Sequence, residues 1–335
     1  MIGPFSPTCF SAPDAEPTTS NSKNMNKSQN LITCIYHLQQ QDGSSGGGQQ
    51  NHPSLLTLTW SKTLLGHSLT VHLDGSAFTI DISPPSPLRL FRPKRGSKPL
   101  AHANLFWSFA RARFDHGPEP TRNFYLCVVT AGRAALLLGD MPDEALRHAE
   151  VADLPDPSPS ALVSRREHVF GRRNYATTAR FGGTGREHEI GIECSGGEGK
   201  EAKLVVRVDG KSVLAVKKLA WKFRGNQRVV VDGSTVEIFW DVYNWLFNGG
   251  GHAVFIFQAG GGSGGGVALG GVWPELVVKG PEKKLLRKSV SSRSTESASS
   301  VLQWAGSFSE SSNQSWGSPN SGFSLLLYAW RSDKK

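Results

Sequence analysis

The sequence is poor in cysteine. Its 335 residues include only four, Cys9, Cys34, Cys127 and Cys194, and no two of them form a CxxC pair. This spacing argues against a zinc ribbon, and the small number argues against the dense disulfide framework of small secreted domains. We expect each cysteine to be a small buried apolar side chain, in a protein of the cytoplasm, the nucleus or both.

Long apolar runs are also absent. No segment approaches the length that a membrane-crossing helix needs, and the N-terminal segment lacks the basic start and continuous apolar stretch of a secretory signal. The same segment is rich in serine and threonine but carries Asp14 and Glu16 and no arginine, which argues against a transit peptide. We expect a soluble intracellular chain with no membrane span.

Several short enzyme motifs are missing as well. No glycine tract reads GxxxxGK(S/T), no HExxH pair occurs, and no histidines and cysteines stand at the spacing of metal ligands. The sequence therefore has no positive signal for a nucleotide site, a metalloprotease or a zinc site. We name no catalytic residue, no cofactor and no metal ligand, and we favour a protein that is not an enzyme.

Acidic residues are outnumbered by basic ones. The chain has 37 lysines and arginines against 28 aspartates and glutamates, and part of the resulting charge of +9 lies in residues 89–98, 165–173 and 279–288. A positive surface attracts nucleic acid, acidic protein or anionic lipid over long distances. The charge predicts an anionic partner without choosing among these three.

The residues that are present favour β structure. Three segments from Leu55 onward, LLTLTW, SLTVHLDG and AFTIDI, have the alternation of strands, and Asp74-Gly75 suits the positive φ angles of a tight hairpin turn. The same turn chemistry recurs at Asp209-Gly210 and Asp232-Gly233. Only the stretch after Asp140 favours a helix. We predict an all-β fold, an antiparallel β-sandwich with one short helix.

The chain also resembles itself. LTVHLDG matches LVVRVDG, LFWSF matches IFWDV and FYLCVV matches AVFIFQ, in the same order and at offsets of 129 to 135 residues. This pattern predicts two duplicated sheet or barrel units, although alternating Val and Phe are common to all β proteins. The predicted organisation is a disordered segment 1–30, a β core 31–278 with units 31–140 and 162–258, a disordered Ser-rich basic tail 279–322, and a returning β-strand 323–330.

Three strings carry a resemblance to a known family. SRREHVFG at 164–171, LAWKFRGNQ at 219–227 and VDGSTVEIFWDVYNWLF at 231–247 resemble the plant family catalogued as domain of unknown function 868. The resemblance implies a plant protein of a family without an established activity, cofactor or catalytic residues. One departure from the family pattern is Phe106-Trp107-Ser108, where relatives tend to read FWD.

The best candidate site is a basic segment with aromatic neighbours. Arginine suits phosphate or carboxylate, and an adjacent aromatic ring can stack on a base or sugar. Strand alternation places Arg165 and Glu167 on one face and Arg166 and His168 on the other, so an ion pair within the cluster is the alternative. The candidate binding residues are Arg165, Arg166, His168, Arg172, Arg173, Lys222, Arg224 and Trp245.

The segment TVEIFWDVY separates core positions from surface positions. Val236, Ile238, Trp240 and Val242 share one face and are expected in the core. On the other face, Glu237 and Asp241 stand about 13 Å apart along a strand, which is wider than the carboxylate separation of glycosidases. A structural hydrogen bond is the favoured role of Asp241.

Two functions remain open at this point. The first is a non-enzymatic interaction or regulatory module that binds an acidic or phosphorylated partner. The second is a small-molecule-binding or carbohydrate-active β protein with a cavity lined by tryptophans such as Trp221, Trp240 and Trp245, although core packing is the commoner fate of such rings. Nucleic acid is an unlikely third partner.

Overall fold

The computed structural model describes residues 28–38, 54–82, 94–152, 162–181, 185–197, 200–248, 251–260 and 322–331. The predicted disordered segment 1–30 lies outside these ranges except for residues 28–30. The predicted Ser-rich tail 279–322 lies outside them except for residue 322.

The first half of the chain consists of strands and one helix. Its elements are β1 (Ser28–Leu38), β2 (Ser54–Thr63), β3 (Gly66–Leu73), β4 (Ser76–Asp81), β5 (Arg95–Leu100), β6 (Ala103–Ser108), β7 (Tyr125–Thr130), β8 (Arg133–Gly139) and α1 (Pro142–Ala149).

The second half also consists of strands and one helix. Its elements are β9 (Leu162–Gly171), β10 (Asn174–Arg180), β11 (Glu187–Gly197), β12 (Lys200–Val208), β13 (Lys211–Val216), β14 (Arg224–Val231), β15 (Ser234–Asp241), α2 (Tyr243–Phe247), β16 (His252–Ala259) and β17 (Ser324–Arg331). The predicted all-β fold is confirmed.

One large sheet takes strands from both halves. Its nine strands lie in the order β14-β15-β16-β17-β9-β1-β2-β3-β4, while β5–β8 and β10–β13 form two further sheets of four strands each. Strand β9 pairs antiparallel with β1 but parallel with β17. Among the described strands, the predicted antiparallel arrangement holds for every pair except β9 with β17.

Each four-stranded sheet closes a separate core against the large sheet. The first core packs β1–β4 side chains such as Leu58 and Val71 against Leu105 and Leu126 of β6 and β7. The second core packs Ile192 and Val206 against residues of β15–β17. Val236, Ile238, Trp240 and Val242 are all at most 6% exposed, as strand alternation predicts.

The three Asp-Gly turns adopt the predicted conformation. The φ angles are 45° and 75° at Asp74-Gly75, 49° and 78° at Asp209-Gly210, and 45° and 79° at Asp232-Gly233. Two successive positive φ angles define the type I′ turn, whose twist matches that of the flanking strands. These turns connect β3 to β4, β12 to β13 and β14 to β15.

A glycine faces a buried tryptophan in both halves. Gly96 pairs with Trp107 between β5 and β6, and Gly225 pairs with Trp240 between β14 and β15. A Cβ atom would lie 2.9 Å from the Trp107 ring at Gly96, and closer still to the Trp240 ring at Gly225. Each indole therefore occupies space that only glycine leaves open.

The helices differ in part from the prediction. Helix α1 forms where expected, but Met141 precedes its first residue, and the Asp140 carboxylate instead accepts the backbone N–H groups of Asn123 (2.9 Å) and Phe124 (3.1 Å). Helix α2 differs from the prediction, because Tyr243 begins a helix where the alternation in TVEIFWDVY predicts a continued strand. No helix of the described residues is long and apolar enough to cross a membrane.

Candidate functional site

Arg165 lies in a buried ion-pair network. Its Nη1 and Nη2 atoms donate to Glu119 Oε1 (3.0 Å) and Oε2 (2.6 Å), and its Nε atom donates to Glu167 Oε1 (2.5 Å). Glu167 also accepts hydrogen bonds from Gln29 Nε2 (2.7 Å) and Thr177 Oγ1 (2.5 Å). The guanidinium of Arg165 is thus paired with Glu119 and Glu167 of the same chain. This is the ion-pair alternative to anion binding that strand alternation left open.

Arg166 and His168 lie on the outer face of the large sheet. The His168 ring stands 5.1 Å from the Tyr328 ring, which also contacts the ring of His252 at 5.2 Å. Burial, with a smaller contribution from His252, lowers the pKa of His168 to about 4. Burial also lowers the pKa of Arg166. His168 is therefore neutral at pH 7 and offers no positive charge to an anion.

Trp245 is a core residue of α2. Its ring is 4% exposed and stacks on Tyr175 at 5.0 Å, and its Nε1 atom donates to the Ala329 carbonyl (2.9 Å). Arg331 donates to the Trp245 carbonyl at 2.9 Å. These contacts correct the expectation that Trp245 presents its face to a partner, because α2 turns the indole inward between the two sheets.

Arg172 and Arg173 lie in the exposed turn between β9 and β10. The Arg173 carbonyl accepts the backbone N–H of Cys194 at 2.8 Å, which holds the turn against β11. The next strand begins at Asn174 and carries Tyr175, the residue that stacks on Trp245. The turn therefore adjoins α2 at one end of the second core.

Arg224 is neutralised by Asp241. Its Nε and Nη2 atoms donate to Asp241 Oδ2 at 2.9 and 2.6 Å. The other carboxylate oxygen accepts the backbone N–H of Tyr243 at 3.0 Å, the kind of structural hydrogen bond that the sequence favoured for Asp241. Lys222, two residues before Arg224, is exposed.

Three aromatic rings cluster beside these residues, and a fourth precedes them in the chain. The Phe223, Tyr243 and Phe247 rings contact one another at centroid distances of 5.5, 5.7 and 5.0 Å, and Trp221 lies two residues before Phe223. Trp221 is 86% exposed, Phe247 51% and Tyr243 41%. Contiguous exposed apolar rings are characteristic of interaction sites. These four residues are termed here the aromatic end surface.

Three lysines lie close to Trp221 in the chain, and the Lys218 carbonyl accepts the Trp221 backbone N–H at 2.9 Å. Lys217, Lys218 and Lys222 are exposed and form no ion pair with the other described residues. The nearby carboxylate of Asp241 is already occupied by Arg224. The surface therefore combines apolar area with uncompensated positive charge.

Sequence reasoning found only part of this surface. It identified Lys222 and the aromatic neighbours Trp221 and Phe223, but missed Tyr243 and Phe247. These two residues stand four apart, which places them on one face of a helix and Trp245 on another. The helical spacing of Tyr243 and Phe247 in YNWLF is the sequence signal that identifies them.

One known family matches the part of the chain that forms both cores and the aromatic end surface. The family model described as plant protein of unknown function, DUF868, matches residues 27–331. The chain belongs to the DUF868 family. The predicted resemblance is therefore confirmed over both cores and the aromatic end surface. No curated protein and no solved structure matches the chain.

His188 of this DUF868 chain is buried. Its Nδ1 atom lies 2.9 Å from Asp209 Oδ2 and its Nε2 atom 3.5 Å from Asp232 Oδ2. The contact with His188 lowers the pKa of Asp209. Two Asp-Gly turns fold over the imidazole, at the end of the second core opposite α2. Within the described ranges, no three His, Cys, Asp or Glu side chains are grouped to hold a metal ion.

The DUF868 fold has a shallow pocket in its first half. The pocket has a volume of about 390 Å³ and is lined by Ala110, Arg111, Ala112, Arg113 and Asn123. No tryptophan lines it. The pocket therefore does not supply the tryptophan-lined cavity that a carbohydrate-binding function would use.

The described thiols of the DUF868 chain are expected to resist alkylation. Cys34, Cys127 and Cys194 are free and buried, and burial raises the pKa of Cys34 to about 12 and that of Cys127 to about 11. At pH 8 these thiols are therefore protonated, and they react slowly because only the thiolate form is the nucleophile. In a Cys9→Ser variant, mass spectrometry should show no iodoacetamide adduct before unfolding and three after it. Rapid native labelling of Cys34 would contradict this expectation.

Proposed function

We propose that this DUF868 protein is a non-enzymatic interaction module that binds an acidic or phosphorylated segment of a partner protein at the aromatic end surface. The observation that carries the proposal is the juxtaposition of exposed Trp221, Tyr243 and Phe247 with the unpaired lysines. Aromatic rings bury large apolar areas at little entropic cost when a partner covers them. The lysines attract anionic side chains and orient the approach.

Two of the residues first considered from sequence support the same location. Arg172 and Arg173 lie in the β9–β10 turn next to α2, so they extend the positive charge beyond the aromatic end surface. Arg165 does not contribute, because Glu119 and Glu167 occupy its guanidinium. The proposed surface is therefore centred on α2 and the start of β14 instead of on β9.

Charge reversal tests the proposal. The triple variant Lys217→Glu, Lys218→Glu and Lys222→Glu is expected to weaken binding of fluorescein-labelled peptides by about tenfold or more, because it replaces attraction by repulsion at the contact. The peptides are twelve-residue sequences rich in glutamate or phosphoserine, each with one tryptophan. Fluorescence anisotropy against the full-length chain gives the dissociation constants, and the two peptide classes distinguish carboxylate from phosphate recognition.

A matched control changes the net charge equally at other sites. Lys62, Arg180 and Lys211 are exposed or project from strand ends away from α2, and their reversal to glutamate should leave peptide affinity within about twofold at physiological salt, where distant charges are screened. Equal losses in both triple variants would reject the surface. Binding that does not depend on peptide charge would reject the proposal itself.

We also infer that the two halves are repeats of one unit. Strands β1–β4 and β10–β13 are four-stranded meanders, and so are β5–β8 and β14–β17. The facing Gly96–Trp107 and Gly225–Trp240 pairs fall at the same place in the second meander of each half. This correspondence supports the sequence offsets, and it places the aromatic end surface in the second repeat.

A further inference from the structure

Strand β14 forms one edge of the nine-stranded sheet. It runs for eight residues without proline, and its register with β15 is continuous. Gln227 and Arg228 are exposed, and Val230 is 69% exposed. No other strand of the described ranges pairs with its outer side, and such an edge presents a row of backbone hydrogen-bonding groups to any extended chain that approaches.

The hydrogen-bond alternation defines which groups point outward. The Val242 N–H donates to the Phe223 carbonyl at 2.9 Å, and the two-residue Asp232-Gly233 turn sets the same alternation at the other end of the hairpin. Odd-numbered residues of β14 therefore bond to β15. The N–H and C=O groups of Asn226, Arg228 and Val230 point to the open side.

Other edge strands within the described ranges are shorter or interrupted. Strand β5 contains Pro99, the pairings of β8 and β13 contain register shifts, and β4 has six residues. Strand β10 has seven residues and is largely buried. Bulges, proline and shortness block edge pairing, and β14 has none of these three features, although it carries the charged Arg224 and Arg228.

We propose that β14 is a docking strand for an extended acidic segment of a partner protein, which pairs with it as a tenth strand. This inference rests on the proposed function and names the binding mode at the same surface. β14 begins immediately after Phe223 and three residues after Trp221, so a segment paired along it ends next to the aromatic end surface and Lys222. Main-chain bonds supply affinity in such complexes, and alternate side chains supply specificity.

Charge complementarity favours an acidic segment over a second copy of this chain. Arg228 forms no ion pair with the other described residues, and β14 contains Arg224 and Arg228 but no acidic residue. Antiparallel pairing of two β14 strands would bring like charges together across the new interface, which is destabilising. An acidic strand meets Arg228 with opposite charge, while Arg224 stays paired with Asp241.

Backbone methylation of the peptide separates strand addition from attraction of side chains. The probe is the labelled acidic peptide of alternating glutamate and valine with a terminal tryptophan, prepared unmodified and with N-methyl groups on either its odd or its even amides. Methylation of one set should weaken binding by about tenfold or more, while methylation of the other set changes it by less than about twofold. Equal effects of both sets, or no effect, would overturn strand addition.

A pair of proline variants tests the protein side of the same contact. Val230→Pro removes an open-side donor of β14, whereas Ala77→Pro removes the corresponding donor of β4, also next to an Asp-Gly turn at a sheet edge. Only Val230→Pro should reduce affinity for the unmodified peptide, by about tenfold. Equal affinity in the two variants overturns the inference, and if Val230→Pro does not fold, the methylated peptides decide.

Failure of this inference is distinguishable from failure of the proposed function. Binding that Lys217, Lys218 and Lys222 reversal abolishes, but that both methylated peptides retain, keeps the proposed function and rejects strand addition. Absence of binding by the unmodified peptides rejects both. Concentration-dependent dimerisation in sedimentation experiments that Val230→Pro abolishes would identify a second copy as the occupant, and would also overturn the inference.

Discussion

Replacement of Glu167 by alanine is expected to lower the free energy of unfolding by about 3–5 kcal/mol, the usual effect of removing one member of a buried ion pair. The Glu167 side chain is 1% exposed and accepts hydrogen bonds from Arg165, Gln29 and Thr177. Its loss leaves these buried and half-buried donors without their acceptor. Urea denaturation of the full-length chain at pH 7 measures the change.

The control for this prediction is an exposed ion pair. Glu144 contacts Arg111 at 3.2 Å, and the Arg111 side chain is 70% exposed. Glu144→Ala is expected to cost less than about 1 kcal/mol, because water replaces much of the lost contact. Similar losses in the two variants would show that the Glu167 network is not the stabilising feature inferred from its geometry.

Replacement of Gly225 by alanine is expected to destabilise the second core by about 1–3 kcal/mol through overpacking. The added Cβ atom would overlap the ring of Trp240, which is 6% exposed and cannot move aside. The indole is also held by a hydrogen bond from its Nε1 atom to the Lys222 carbonyl at 3.0 Å. The strand pair must therefore separate to accept the methyl group.

A double-mutant cycle isolates this contact. In a Trp240→Leu background the ring is absent, so Gly225→Ala should cost clearly less than it does in the natural sequence. Thermal unfolding of the four proteins gives the coupling energy. An equal cost in both backgrounds would show that the loss of stability comes from the change within β14 and not from contact with the Trp240 ring. Gly96→Ala, which faces Trp107, is expected to show a smaller loss because the approach is less close.

Local patterns predicted much of the fold. Alternation in TVEIFW identified Val236, Ile238 and Trp240 as core residues, and the Asp-Gly pairs marked three hairpin turns, because both signals depend on neighbouring residues. The parallel pairing of β17 with β9 was not predictable in this way. Residues 162–171 and 324–331 are far apart in the chain, and nothing local specifies which edge a returning strand selects.

The candidate site was less predictable than the fold for a similar reason. The basic segment 165–173 looked like one cluster, but Arg165 pairs with Glu119, a residue 46 positions away. The aromatic end surface forms only when α2 packs against the start of β14, which brings Tyr243 and Phe247 to Phe223. Its members carry no joint pattern along the chain, although α2 has a helical spacing.

The long pairing of β9 with β1, which contains two register shifts, has a practical consequence for dissecting the molecule. Cutting the chain between residues 153 and 161 would leave two fragments that stay associated, since the eleven-residue β1 of one fragment remains hydrogen-bonded to the ten-residue β9 of the other. Each fragment expressed alone would instead expose a long interior strand and tend to self-associate. Truncations intended to separate the two halves of the chain will therefore yield aggregation-prone material, whereas co-expressed complementary fragments are expected to reassemble.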